Sequence, residues 1–214
     1  MVVTKFERSH LVIPAQIPQL GTMEDLPPFF KQHSSWQHAL VLIQSPSYLS
    51  RNGWERDNEM NLIDLLKENT MRAPLLSTDR HGAISELVDI LADADCISDA
   101  QTIKELVWER ELQRTTGIGE GLAIPHGRCD KLDKMVMAMG RPSTPIDFAS
   151  PDKQPVELII LLVSPTNNTS DHIQALGRIS RLMVDRSFRE AANSTESAAS
   201  LFTLFQDTLN TSTV

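Results

Sequence analysis

Hydrophobic positions recur with a helical period in several stretches of this chain and as short unbroken runs in others, and the alternation of the two sets its architecture. Leu62, Ile63, Leu65 and Leu66 in "MNLIDLLKEN" mark a short amphipathic helix that the proline of "MRAPLLST" then breaks. Ile84, Leu87, Val88 and Leu91 in "DRHGAISELVDILADAD" fall on one helical face, with Asp79 available as cap. Ile103, Leu106, Val107 and Arg110 repeat the period in a second helix that begins after Ser98 or Asp99. Three apolar stretches of strand length follow, "GLAIPHG", "KMVMAMGRP" and "VELIILLVSP"; the last is continuous enough to be a central strand buried on both faces.

The helical period returns in "SDHIQALGRISRLMVD" through Ile173, Leu176, Ile179 and Met183, capped by Ser170 or Asp171. A short helical turn at "FREAANS" and a closing amphipathic helix at "STESAASLFTLFQDTL" complete the chain. Strands interleaved with helices predict an α/β fold: an α-β-α sandwich whose mixed, mostly buried sheet is covered by helices on both faces.

Residues 1–59 lack any such period and carry Pro14, Pro18, Pro27, Pro28 and Pro46, so they read as a poorly ordered extension of a domain over residues 60–210. Trp54-Glu55 requires purine-rich codons shortly before Met60; read as a ribosome-binding site, they give the expectation that natural translation starts at Met60. Tryptic peptides from residues 1–59 in native cells would exclude that start.

The composition narrows the choice of partners. A net charge of −8 disfavours nucleic acid or an anionic membrane, which clustered Lys and Arg would meet. No apolar run reaches the roughly 20 residues of a membrane span, and the start carries no secretory pattern; the expectation is a cytoplasmic protein. Aromatic residues make up only 5%, so aliphatic side chains supply most of the core. Cys96 and Cys129 are too few and too separate for a disulfide framework and read as packing residues.

The segment "TTGIGEGLAIPHGR" concentrates the candidate chemistry. Gly117, Gly119 and Gly121 do not make a dinucleotide fingerprint, because a helix precedes them, a strand follows, and Leu122 stands where a third glycine is required; the Gly-Lys-Ser/Thr of a phosphate loop is absent too. They suit a tight connection with positive φ angles and unobstructed backbone N–H groups. His126, Cys129 and His172, with Asp171, do not have the spacing of a metal site, and no metal or other cofactor is expected. A lone histidine is ordinarily satisfied by packing and a backbone hydrogen bond. Here Pro125 rigidifies the strand end and Gly127 removes a flanking side chain, which leaves the His126 ring fixed yet approachable, as a nucleophile requires.

At these residues the chain resembles the enzyme IIA domains of the fructose/mannitol and nitrogen-regulatory type from the bacterial phosphoenolpyruvate-dependent phosphotransferase system. The resemblance rests on Arg110-Glu111, Ile118-Gly119, "LAIPHG" from Leu122 to Gly127, His172 in "DHIQAL", and "PIDFASPDKQPVELIILLVSP", and it runs from about Met60 to Leu209. It implies that His126 accepts a phosphoryl group, that Arg110 binds the phosphate oxygens, and that His172 donates a hydrogen bond or fixes the His126 tautomer. Glu111 then orients Arg110 or a neighbouring backbone group, and N–H groups from Gly117 to Gly121 complete the cradle.

The partners implied are an HPr-like phosphocarrier as donor, and a IIB domain with an acceptor cysteine or a regulatory target protein downstream, with neither nucleic-acid binding nor direct membrane insertion. The segment and the solitary architecture look most like the nitrogen-regulatory type. A sugar-specific IIA component and a non-catalytic interaction module are the other two readings; the second predicts loss of His126, Arg110 or His172, and all three are present.

Overall fold

The computed structural model describes residues 62–182 and 185–211. The extension expected over residues 1–59, and Met183 of the helical period, lie outside the described residues. The helices are α1 (Leu62–Leu65), α2 (Arg80–Asp93), α3 (Ala100–Gln113), α4 (Thr169–Leu182), α5 (Arg186–Ser194) and α6 (Ala198–Thr211). The strands are β1 (Met71–Leu75), β2 (Gly117–Gly119), β3 (Leu122–Ala123), β4 (His126–Cys129), β5 (Val136–Pro142) and β6 (Leu158–Pro165). None of the described helices is long and apolar enough to cross a membrane.

The six strands make one mixed sheet in the order β1-β5-β6-β3-β2, with β4 also on β6. β6 is buried along its whole length, as its unbroken apolar run predicts. It pairs antiparallel with β5 on one side and parallel with β3 and then β4 on the other. Side chains alternate across a strand, so β6 feeds two cores. Ile159, Leu161 and Val163 pack with Ile84, Leu87, Leu91, Ile103 and Val107 of α2 and α3. Leu158, Ile160 and Leu162 pack with α1, α4, α5 and α6 through Leu62, Ala175, Ile179, Phe188, Leu201 and Phe205. The α-β-α sandwich predicted from the sequence is the fold observed.

Asp79 caps α2 by accepting from Gly82 N, and Asp99 caps α3 by accepting from Thr102 N. Four local expectations are corrected. "MRAPL" is not only a helix breaker but strand β1, parallel to β5. β1 is an edge strand, where the missing N–H of Pro74 costs no central ladder bond. The start of α4 is tied by Asn168, whose Oδ1 accepts from Asp171 N at 3.4 Å, rather than capped by Ser170 or Asp171. Its buried face is His172, Ala175, Ile179 and Leu182, one residue round from the face read off Ile173 and Leu176.

The fourth correction concerns "GLAIPHG", which forms two short strands on one line, interrupted at Ile124-Pro125. His126 therefore begins a strand instead of ending one. The glycine run before it is a β-hairpin whose tip has positive φ at Gly119 (97°), Glu120 (55°) and Gly121 (76°), which explains the two glycines.

Candidate functional site

The interruption at Ile124-Pro125 turns the His126 side chain into a held group. Ile124 N donates to Thr116 O at 3.0 Å; Pro125 has no N–H to place, and its carbonyl accepts from Leu162 N at 3.0 Å. The Ile124 carbonyl is left for the ring: His126 Nδ1 lies 2.7 Å from it. A carbonyl oxygen only accepts, so Nδ1 carries the proton and, in the neutral ring, Nε2 carries the lone pair.

Neutrality is built in. Burial of the ring, then the nearby charge of Arg110, pull the His126 pKa down from 6.5 to about 3; the bond to Ile124 offsets this in part and His172 adds to it. The residue nevertheless keeps part of its surface open to solvent. The result is an imidazole packed on most sides, open on one, and unprotonated near neutral pH.

His172 is brought to the same place from α4, which packs on the same face of the sheet: His126 pairs with Leu162 of β6, whose side chain lies in the core that Ala175 and Ile179 of α4 share. The two rings lie 5.5 Å apart between centroids, inclined at 60°. His172 is buried, and its Nδ1 is 2.7 Å from Ser164 Oγ at the end of β6. Burial first, then the charges of Arg128 and Arg110, lower its pKa to about 4. Arg110 occupies the last turn of α3, where Nη1 donates to the Arg114 carbonyl at 2.9 Å. Burial lowers its pKa as well, with Glu111 opposing. Its charge acts on both histidines, and that of Arg128 acts on His172 as well.

The remaining predicted residues are not all part of this cluster. Glu111 is buried and holds backbone, not Arg110: it accepts from Thr116 N (3.0 Å), from Thr116 Oγ1 and from Arg80 Nη1 (3.2 Å). Thr116 in turn receives Ile124 N–H, so Glu111 anchors the segment from which His126 hangs. Gly127 faces away from the imidazole, toward Val107 of α3, and serves close packing of that helix.

Two N–H groups of the glycine hairpin are spent elsewhere: Gly117 N donates to Thr115 Oγ1 at 3.0 Å and Glu120 N to Asp152 Oδ2 at 2.8 Å. The tip pairs at the start of β6 while His126 pairs near its end, so Gly119 and Gly121 shape the hairpin and do not surround the ring. Cys129 also lies on the opposite face of the sheet, in the core under α2 and α3.

Two neighbours were not singled out from sequence. Arg128 follows His126 by two residues on the same face of β4, and its Nη2 donates to the Thr166 carbonyl and to Thr169 Oγ1 (2.6 Å) at the start of α4. Ser164 is a lone hydroxyl in an apolar run. Period-2 alternation from His126 points to the first, and a polar residue at the end of a buried strand points to the second.

Known proteins share sequence similarity and fold with this chain. Residues 64–208 match the family described as the phosphoenolpyruvate-dependent sugar phosphotransferase system, EIIA 2. A nitrogen regulatory protein of Bradyrhizobium diazoefficiens is 32% identical over 145 residues, which cover 68% of this chain and 94% of that one. The fructose-specific EIIABC component of Bacillus subtilis is 33% identical over 138 residues, 64% of this chain, but the match spans only 22% of that longer protein. Among solved structures, the nitrogen regulatory protein IIA-Ntr of Neisseria meningitidis superposes with a TM-score of 0.62 at 26% identity, over 67% of this chain and 97% of that one. The chain belongs to the type 2 EIIA family of the phosphoenolpyruvate-dependent sugar phosphotransferase system.

Proposed function

We propose that this protein is a phosphocarrier, a phosphotransferase with a phosphohistidine intermediate at His126. The observation that carries the reading is the 2.7 Å contact of His126 Nδ1 with the Ile124 carbonyl, which leaves Nε2 as the nucleophilic nitrogen. Nε2 attacks the phosphorus of a phosphohistidine on an HPr-like carrier. A P–N bond forms here as the P–N bond of the donor breaks, and the departing imidazole keeps the electron pair. No proton has to leave the attacking nitrogen. Arg110 stabilises charge on the phosphoryl oxygens and His172 donates a hydrogen bond to them; positioning and charge stabilisation are what such a loose transition state asks of a protein.

The phosphoryl group then passes to a IIB domain, or the phosphorylation state itself is read by a target protein. The nitrogen-regulatory role is favoured because the match with the Bradyrhizobium protein covers 94% of that protein. The sugar-specific role draws on fructose-specific relatives, one in which the matching part is a fraction of a longer chain and one EIIA component matched over 77% of its length. Either role is exercised in the cytoplasm.

Incubation with phosphoenolpyruvate, enzyme I and HPr tests the proposal. The expected product is one acid-labile, alkali-stable phosphate per chain, lost in His126→Ala. Label that persists in His126→Ala would overturn the assignment of the acceptor.

A further inference from the structure

His126 has its tautomer set by a carbonyl, whereas the partner of His172 is a hydroxyl that can either donate or accept. Ser164 Oγ lies 2.7 Å from His172 Nδ1. Ser164 is 0% exposed, and among the described residues its hydroxyl has no other partner. Were the ring to donate from Nδ1, the hydroxyl hydrogen would be buried with nothing to accept it. With the hydroxyl donating to the Nδ1 lone pair, the one donor of Ser164 is satisfied and the single proton of the neutral ring goes to Nε2.

We propose that Ser164 is a positioning residue: its hydroxyl donates to His172 Nδ1 and fixes that ring in the Nε2–H tautomer. The consequence for transfer rests on the phosphocarrier reading above. The two rings, 5.5 Å apart, are then held in opposite tautomers by opposite partners. His126 offers a lone pair to phosphorus, and His172 offers an N–H to a phosphoryl oxygen. In the other tautomer His172 would offer that oxygen a second lone pair and repel it. Protonation does not substitute for the hydroxyl, because burial first, and then the charges of Arg128 and Arg110, act against a cationic His172.

The test is nitrogen-15 NMR of the imidazoles in the full, unphosphorylated chain, alongside the kinetics of phosphorylation by phospho-HPr. In the wild type, His172 shows a protonated Nε2 and an unprotonated, hydrogen-bonded Nδ1. Ser164→Ala gives a mixture of His172 tautomers and leaves that of His126 unchanged. It slows the transfer step about tenfold at unchanged KM for the carrier, less than the roughly 100-fold expected for a donor that touches the phosphoryl group itself. Ser164→Thr, which keeps the hydroxyl, restores both readouts.

A wild-type His172 protonated on Nδ1, or a Ser164→Ala protein with unaltered His172 nitrogens, overturns the proposal. A folded Ser164→Thr protein that behaves like the alanine variant counts against it as well. Should the wild type accept no phosphate at all, the phosphocarrier reading fails, while the nitrogen shifts still decide what Ser164 does.

Discussion

Val107 on α3 stands directly over Gly127 on β4: a Cβ on the glycine would lie 3.1 Å from Val107 Cγ2. Arg110 follows Val107 by one helical turn, so this contact sets how near the guanidinium comes to the ring that begins β4. Gly127→Ala should lift α3, costing about 1–3 kcal/mol in urea denaturation and slowing phosphorylation of His126 about tenfold. Val107→Ala in the same chain should recover part of both losses, a coupling that a double-mutant cycle measures. Strictly additive losses would show that the contact does not place Arg110.

Arg110 has one donor spent on the Arg114 carbonyl, which orients the guanidinium at the end of α3; among the described residues its other donors have no hydrogen-bond partner, and the proposed function gives them the phosphoryl oxygens. Arg110→Ala should therefore reduce transfer by roughly 100-fold while changing stability by less than about 1 kcal/mol. Arg110→Lys retains the charge without the planar fork and should recover only part of the rate. Rapid-quench phosphorylation and urea midpoints together decide this; a large stability loss with an unchanged rate would make Arg110 structural.

Both histidines have folded-state pKa values below the ordinary 6.5, about 3 for His126 and about 4 for His172. Below pH 6.5 the unfolded chain takes up protons that the folded one refuses, so this stability is complete above 6.5 and drains as pH falls toward 4 and then 3. His126→Gln and His172→Gln should each flatten the fall in urea midpoint between pH 6.5 and 4. The His126 ring resonances should not titrate between pH 8 and 5. Titration near 6.5 would mean a solvated ring and remove the electrostatic basis of its neutrality.

What could be read in advance follows the strength of each local signal. α2 and α3 declare themselves because cap and period agree, and β6 because its apolar run is long and nearly unbroken. β1 was hidden by Pro74, since a proline signals a break and only the neighbour count of a sheet edge makes it tolerable. The face of α4 came out one residue off because apolar counting excludes histidine, whereas His172 is turned inward by Ser164, a partner on another element. His126, Arg110 and His172 were legible as residues. Their meeting was not, and neither was the real use of Gly127, which depends on the helix across the sheet. Glu111 was legible in part, as a residue that orients backbone.

Glu111 also supplies the deepest support of the site. Its side chain is 0% exposed, and through Thr116 it holds the Ile124 segment on which the His126 tautomer depends. Glu111→Ala removes the acceptor for Thr116 N–H and for Thr116 Oγ1, and should cost about 3 kcal/mol, with a fall in transfer rate as Ile124 loosens. Glu111→Gln keeps the shape and should cost less. The two differ from wild type in their response to pH as well. Burial raises the Glu111 pKa above its ordinary 4.5, so the folded chain holds that proton more tightly and loses stability as pH rises through the raised value. The slope is opposite to that of the histidines. Glu111→Gln abolishes it, so the gain in urea midpoint from pH 4.5 to 7 should be larger in the variant than in wild type. An equal gain would mean that Glu111 is ionised as readily folded as unfolded, and that Arg80 and Thr116 fully compensate its burial.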